Sequence, residues 1–366
     1  MRVPNQPPDR QTALDAILKE DSQRVRTFFE NSKPVDDKGR YLHWDELRFK
    51  PLPDGLSAVQ WWAATKLARH IIQQPLALKD KFGNPFRYCE PQVLKVILRF
   101  LDMNAGGALG ADATAVSAHE GRAHLTRSLA EEPFASSFIE GAATTRQIAK
   151  QLIFEGRQPK TRDELMVLNN FRAMEFVKQF RGQKLRLDFL LELHNIVTKG
   201  TMDDPADSGR IRTNDDIQVV DDTNGEILHQ PPPAADLLVR LELLFEFAND
   251  DSEGAHWVHP LLKAMMLHFM LAYEHPFVDG NGRVARALFY WYALKQGYWL
   301  LEYVSISSVI AEAKIEYGRS FLFVESDESD LTYFLCNQAN TLKKAVERLH
   351  SYVERKKKEV QGLEVR

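Results

Sequence analysis

Cysteine is almost missing from this chain: Cys89 and Cys336 are the only two in 366 residues, far apart and in no CxxC pair. That excludes a cysteine zinc site and fits a reducing compartment. No stretch approaches 18 uninterrupted apolar residues, so no segment reads as membrane-spanning. The N-terminal MRVPNQPPDRQ is polar and proline-containing, with no apolar signal core, and the expectation is a cytoplasmic protein. An excess of basic charge is lacking too. The net charge of −4 argues against nucleic acid as the main partner. What remains is 44% apolar and 27% charged, which suits a globular chain with a sizeable core and room for two or three domains.

Helical signals dominate. Ser57 with Gln60 makes a capping box ahead of AVQWWAATKLARHII, whose apolar residues recur at helical spacing. A second helix is expected at Pro91–Leu101, then a break in the Gly/Ala-rich segment around 102–115, read as a flexible connection. Further helices are expected near 119–131, 145–154, 162–181, 186–198, 234–248 and 306–323, and a long one from about 331 to 359, capped by ESDESD. Only one region reads as strand, the hairpin at 217–230 around Asn224-Gly225. The fold class expected is therefore all-α with one small β-hairpin. The expected domains are a helical region 1–115, a core at 116–300 and a helical region 301–366.

Residues 275–286, HPFVDGNGRVAR, carry the chemistry. Pro260 opens the preceding helix at a position where its missing N–H costs nothing. The following helix begins near Gly282 and stops at Gly297. The Gly280-Asn281-Gly282 turn thus sits at a helix N-terminus, where free N–H groups and the helix dipole attract anions. Arg283 and Arg286 are three apart and can point to one side, and two guanidinium groups suit a polyphosphate. Asp279 is a carboxylate beside that anion site, as in sites that hold magnesium with phosphates and water. His275 can accept a proton at neutral pH, and Phe277 anchors the loop in the core. An isolated GNG is a common turn and a lone histidine is commonly structural; zinc is a further option, with His256, His259 and His268 nearby, although no HExxH occurs.

The whole string resembles the Fic motif, HxFx(D/E)GNGRxxR, with every specified position matched, and GRIR at 209–212 and the upstream hairpin agree. The resemblance covers roughly 118–300. It implies transfer of AMP from ATP to a Ser, Thr or Tyr hydroxyl of a target protein. In that scheme His275 deprotonates the hydroxyl and Asp279 holds Mg²⁺ across the α- and β-phosphates. The Gly280, Asn281 and Gly282 turn forms the anion hole, Arg283 contacts the β-phosphate, and Arg286 the γ-phosphate. SSFIEG at 136–141 resembles the family's inhibitory motif, (S/T)xxxE(G/N), in a short helix at 135–141. Ser136, Glu140 and Gly141 fill it, and Glu140 is then expected to pair with Arg286. Ser137 matches a position lining the nucleotide pocket. The hairpin 217–230 resembles the Fic flap, with Ile217, Gln218 and Val219 docking the target chain by strand addition. An adenine-pocket asparagine has no counterpart in VIAEAKIEY (309–317).

Two rival readings keep the same fold: transfer or removal of a different phospho-moiety, and a nucleotide-sensing regulatory or antitoxin-like binding protein. Arg355-Lys356-Lys357-Lys358 could support partner or nucleic-acid contacts, but it reads more simply as a solvated helix end. The long terminal helices suit a homodimer.

Overall fold

A computed structural model describes residues 2–19, 21–106, 127–221, 223–254 and 257–364. The chain forms two compact units, one of residues 1–96, 220–228 and 315–337 and one of 97–219, 229–314 and 338–366. Among the described residues no helix is long and apolar enough to cross a membrane.

In the first unit, α1 (Arg10–Ile17), α2 (Ser22–Glu30) and α4 (Ala58–Ile72) bury Ile17, Phe28, Ala63 and Ala64 together with Leu56. The expected capping box opens α4: the Ser57 hydroxyl accepts from the Gln60 N–H, and the Gln60 side chain accepts from the Ser57 N–H. The short α3 (Trp44–Leu47) packs Leu47 with Leu42 and Trp62. A second hairpin, unread in the sequence, pairs β1 (Gln74–Lys79) with β2 (Pro85–Tyr88). Its turn is made by Asp80, whose Oδ1 accepts from the N–H groups of Phe82 and Asn84, and by Gly83 at φ +88°. QPLALKDKFGNPFRY lacks strict alternation, so the single-hairpin expectation is corrected to two.

The same unit holds a buried polar network centred on Arg69, which is fully buried. Its guanidinium donates to Pro34 O at 2.9 Å, Leu42 O at 2.9 Å and the Tyr333 hydroxyl at 2.7 Å, and lies 3.6 Å over the Tyr41 ring. Tyr333 and Tyr41 donate in turn to Asp327 and Asp330, each at 2.6 Å, and Lys66 pairs with Asp327 at 2.9 Å. The ESDESD stretch therefore does more than cap α15 (Thr332–Glu364), although Asp330 does accept from the Thr332 N–H.

In the second unit, α7 (Arg146–Phe154), α8 (Arg162–Gln179), α9 (Leu187–Thr198) and α10 (Leu237–Asn249) lie where helices are expected, and α6 (Glu131–Ile139) is the helix expected at 135–141, begun earlier and ended before Glu140. They surround two central helices, α11 (Pro260–Glu274) and α12 (Asn281–Lys295). Almost every residue of that pair is buried, as expected of helices apolar all round. Three expectations shift. The helix α5 (Gln92–Ala105) runs past the supposed break at 102, while 107–126, including the start of the 119–131 helix, lies outside the described residues. The helix at 306–323 is two, α13 (Ile306–Glu312) and α14 (Lys314–Ser326), because Ala313 leaves the helical region at φ −138°, ψ 46°. No glycine or proline marks that break. The 217–230 hairpin narrows to β3 (Val219–Val220) and β4 (Ile227–His229), with Asp221 folding back to accept from Thr223 and Gly225.

Removing Arg69 leaves Pro34 O, Leu42 O and the Tyr333 hydroxyl without their buried donor and takes a positive charge from near Asp327 and Asp330. Arg69→Ala is expected to destabilise the protein by about 3–5 kcal/mol, read by denaturant unfolding; a loss below about 1 kcal/mol would contradict the network's role.

Candidate functional site

The 275–286 segment turns the chain between α11 and α12. α11 starts with Pro260 in its first turn and ends at His275, whose left-handed φ of +47° directs the backbone into the loop. Gly280, at φ +84°, is the residue before α12, where a β-carbon would lie 2.8 Å from Thr198 Cγ2. Phe277 is fully buried, as expected. The Asn281 side chain clips the loop shut by accepting from the Phe277 N–H at 2.9 Å and donating to the Phe277 carbonyl at 2.8 Å. Its amide is thereby spent on the loop, so what this residue offers an anion is its backbone N–H in the first turn of α12.

His275 Nδ1 lies 3.1 Å from the Ala272 carbonyl, which can only accept, so Nδ1 carries the proton and Nε2 keeps its lone pair. Burial pulls the His275 pKa down to about 4, only partly opposed by that hydrogen bond. Arg283 and Arg286 are both buried. Arg283 donates to Val197 O at 3.2 Å and meets Asp279 Oδ2 at 3.3 Å, while its Nε has no partner among the described residues. Burial lowers its pKa from the ordinary value, and the Asp279 charge works against that. Asp279 is half exposed, with Oδ1 accepting from the Gly280 N–H at 2.5 Å.

The helix α6 brings the second motif to the first. Arg286 Nε donates to the Ser136 hydroxyl at 2.9 Å, and Nη2 donates to Ser136 O at 3.1 Å and to Glu140 Oε1 at 2.7 Å. The Glu140 carboxylate also covers the start of α12: a β-carbon on Gly282 would fall 2.4 Å from Glu140 Oε1. Gly141, at φ +91°, closes α6 with the Ala142 N–H on Ser137 O and the Gly141 N–H on Phe138 O, a Schellman motif. Ser137 faces α8 instead. It is fully buried, its hydroxyl donating to Pro133 O and accepting from Asn170. The other end of α6 is fixed by Glu132, whose carboxylate accepts from the Ser305 and Ser307 hydroxyls and the Ser307 N–H at the start of α13.

Two residues that sequence reasoning passed over support the loop. Arg212, known only as part of GRIR, is buried. Its N–H donates to Pro276 O, its Nε to His275 O and its Nη2 to Pro232 O. His194, on α9, is fully buried and bonded to the Asp279 carbonyl at 2.9 Å. The available signal was one polar residue among the apolar positions of LLELHNIVT. His268 does not join a metal cluster: it is fully buried, and no group of three or more metal-ligating side chains occurs among the described residues. His256 lies outside them.

Burial lowers the pKa of His43, His194 and His275 to about 4 and of His268 to about 3. The unfolded chain binds protons near pH 6.5 and the folded chain does not, so stability is full above 6.5 and falls as pH drops toward 4. The melting temperature is expected to be level from pH 8 to 7 and to decline from 6.5 to 5; a level profile to pH 5 would contradict it.

Residues 184–293 match the family model described as Fic/DOC family. A protein adenylyltransferase Fic of Drosophila willistoni is 31% identical over 214 residues, covering 55% of this chain and 40% of its own length. Its counterpart in Drosophila grimshawi is 29% identical over 234 residues, covering 61% and 46%. The chain thus spans less than half the length of these curated relatives. Among solved structures, Fic-1 from C. elegans superposes with a TM-score of 0.59 at 18% identity, over 95% of this chain and 99% of that one. A Fic-domain signaling protein from Bacteroides thetaiotaomicron gives 0.57 at 17%, over 70% and 97%. The HPFVDGNGRVAR loop lies within the residues that match the Fic/DOC family model, and the fold is shared with these solved structures.

Proposed function

We propose that the chain is a protein adenylyltransferase that moves AMP from ATP to a hydroxyl of a target protein and is held back by its own Glu140. The observation carrying this is the free Nε2 of His275 beside a helix N-terminus flanked by two buried arginines. The names of the Drosophila relatives support the same reaction. His275 Nε2 takes the hydroxyl proton as the oxygen attacks the α-phosphorus in line. The new O–P bond forms as the bond to the β-phosphate oxygen breaks, and pyrophosphate leaves. The N–H groups of the first turn of α12 face the developing negative charge, Arg283 meets the β-phosphate and Arg286 the γ-phosphate. Asp279 fits a magnesium ion, since it is half exposed and only weakly engaged by Arg283. Asp279 would hold such an ion beside the phosphates, where it would supply charge neutralisation.

Glu140 claims the Arg286 guanidinium and lies over Gly282, so a triphosphate and this carboxylate compete for one positive site. Val220 and Ile227 of the hairpin are exposed apolar residues on short strands, which suits strand addition by an extended target segment at Ile217, Gln218 and Val219.

Incubation with α-labelled ATP and Mg²⁺, with mass spectrometry for AMP on the protein and in lysate, tests this. Glu140→Gly is expected to raise transfer tenfold or more, about 1.4 kcal/mol, and His275→Ala in that background to lower it by a factor on the order of 10²–10⁴. Equal transfer by wild type and Glu140→Gly at saturating ATP would remove the inhibitory role. No transfer from Glu140→Gly would favour the regulatory binding reading. Because kcat/KM reports the free enzyme, the Glu140→Gly profile is expected to be level from pH 8 down to about 5, losing activity only as His275 protonates near 4. An acid limb centred near 6.5 would contradict it.

A further inference from the structure

We propose that His194 is a positioning residue for this transfer. Its imidazole is the template on which the 275–280 loop sets the Asp279 carboxylate and the approach to the anion site. The inference rests on the adenylyltransferase reading for its effect on rate, but its geometry stands without it.

The His194 ring touches the loop in three ways. It stacks on Phe277 with centroids 3.7 Å apart and planes 2° from parallel. Its Nε2 lies 2.9 Å from the Asp279 carbonyl. Its edge packs against Gly280, where a β-carbon would stand 3.5 Å from Cδ2 and Nε2. On the opposite side, the Gly209 N–H donates to His194 Nδ1 at 2.9 Å.

These partners determine where the proton sits. A backbone N–H only donates and a carbonyl only accepts, so Nδ1 must be the bare nitrogen and Nε2 must carry the hydrogen. The ring therefore links the 209–212 segment to the carbonyl of the residue that faces the metal position. Arg212 of the same segment holds the carbonyls of His275 and Pro276. Three of the loop's carbonyls are thus held by α9 and the 209–212 segment, and the Asp279 side chain projects from a backbone held on both sides. A histidine that merely filled space would require the stack alone. The pair of directional bonds distinguishes positioning from filling.

The test uses the full chain carrying Glu140→Gly, with His194→Phe and His194→Gln added separately. Phenylalanine keeps the stack and loses both bonds, whereas glutamine can accept with its oxygen and donate with its nitrogen. His194→Phe is expected to lower kcat about tenfold or more while KM for ATP moves less than about threefold, because the arginines stay in place. His194→Gln is expected to recover most of kcat. In the parent, nitrogen NMR of the imidazole is expected to show a bare Nδ1 and a protonated Nε2. Parental kcat in His194→Phe, a His194→Gln as slow as the phenylalanine variant, or a proton on Nδ1 would each overturn the proposal. Should His194→Phe not fold, the glutamine variant and the NMR signature decide. If the parent transfers no AMP, the adenylyltransferase reading fails. The positioning claim is then decided by the tautomer and by amide hydrogen exchange, which at Gly280 and Asn281 is expected to be faster in His194→Phe.

Discussion

Burying both helices of the central pair leaves the loop between them to find its hydrogen bonds inside the protein. An unpaired buried carbonyl or N–H costs on the order of 1–3 kcal/mol, and this loop reverses direction with little regular structure of its own. The carbonyls of His275 and Pro276 go to Arg212, that of Phe277 to Asn281, and that of Asp279 to His194. Satisfying the backbone and placing the reactive side chains are one operation here. The left-handed His275 and Gly280 are held in that conformation by the same bonds that aim the imidazole and the carboxylate.

The motif was legible because its chemistry is local. Pro260, His275, Asp279, the GNG turn and both arginines lie within one helix–loop–helix, where spacing alone predicts which groups meet. The Glu140–Arg286 pair is 146 residues apart, and only the family resemblance joined it before the structure did. His194 and Gly209 left weaker marks, since a buried histidine bonded to backbone looks like any polar residue on an apolar helix face. The Gln74–Tyr88 hairpin was missed because its strands lack alternation and its turn is held by the Asp80 side chain. The break at Ala313 has no local cause that the sequence displays.

Electrostatics concentrates on α12. Its N-terminus, Arg283 and Arg286 are positive and largely dehydrated, and the low pKa of His275 and the depressed pKa of Arg283 are two results of the same burial. A site with that much buried positive charge attracts a carboxylate or a phosphate, whichever is available. On the proposed reading the chain carries the carboxylate itself.

Glu140 is also the C-terminal cap of its own helix, α6, where the dipole disfavours negative charge. The carboxylate therefore bridges from the unfavourable end of one helix to the favourable end of another. Lys314, reaching toward the carbonyls of Phe138 and Ile139, softens the first. Each dipole term is worth about 0.3–1 kcal/mol, so swinging Glu140 away sacrifices the attraction of α12 and recovers the repulsion of α6. On the proposed reading the gate is thereby counterweighted: the two opposed helix fields largely cancel around the Glu140–Arg286 pair, and modest changes in nearby charge or salt can set how readily nucleotide wins the site.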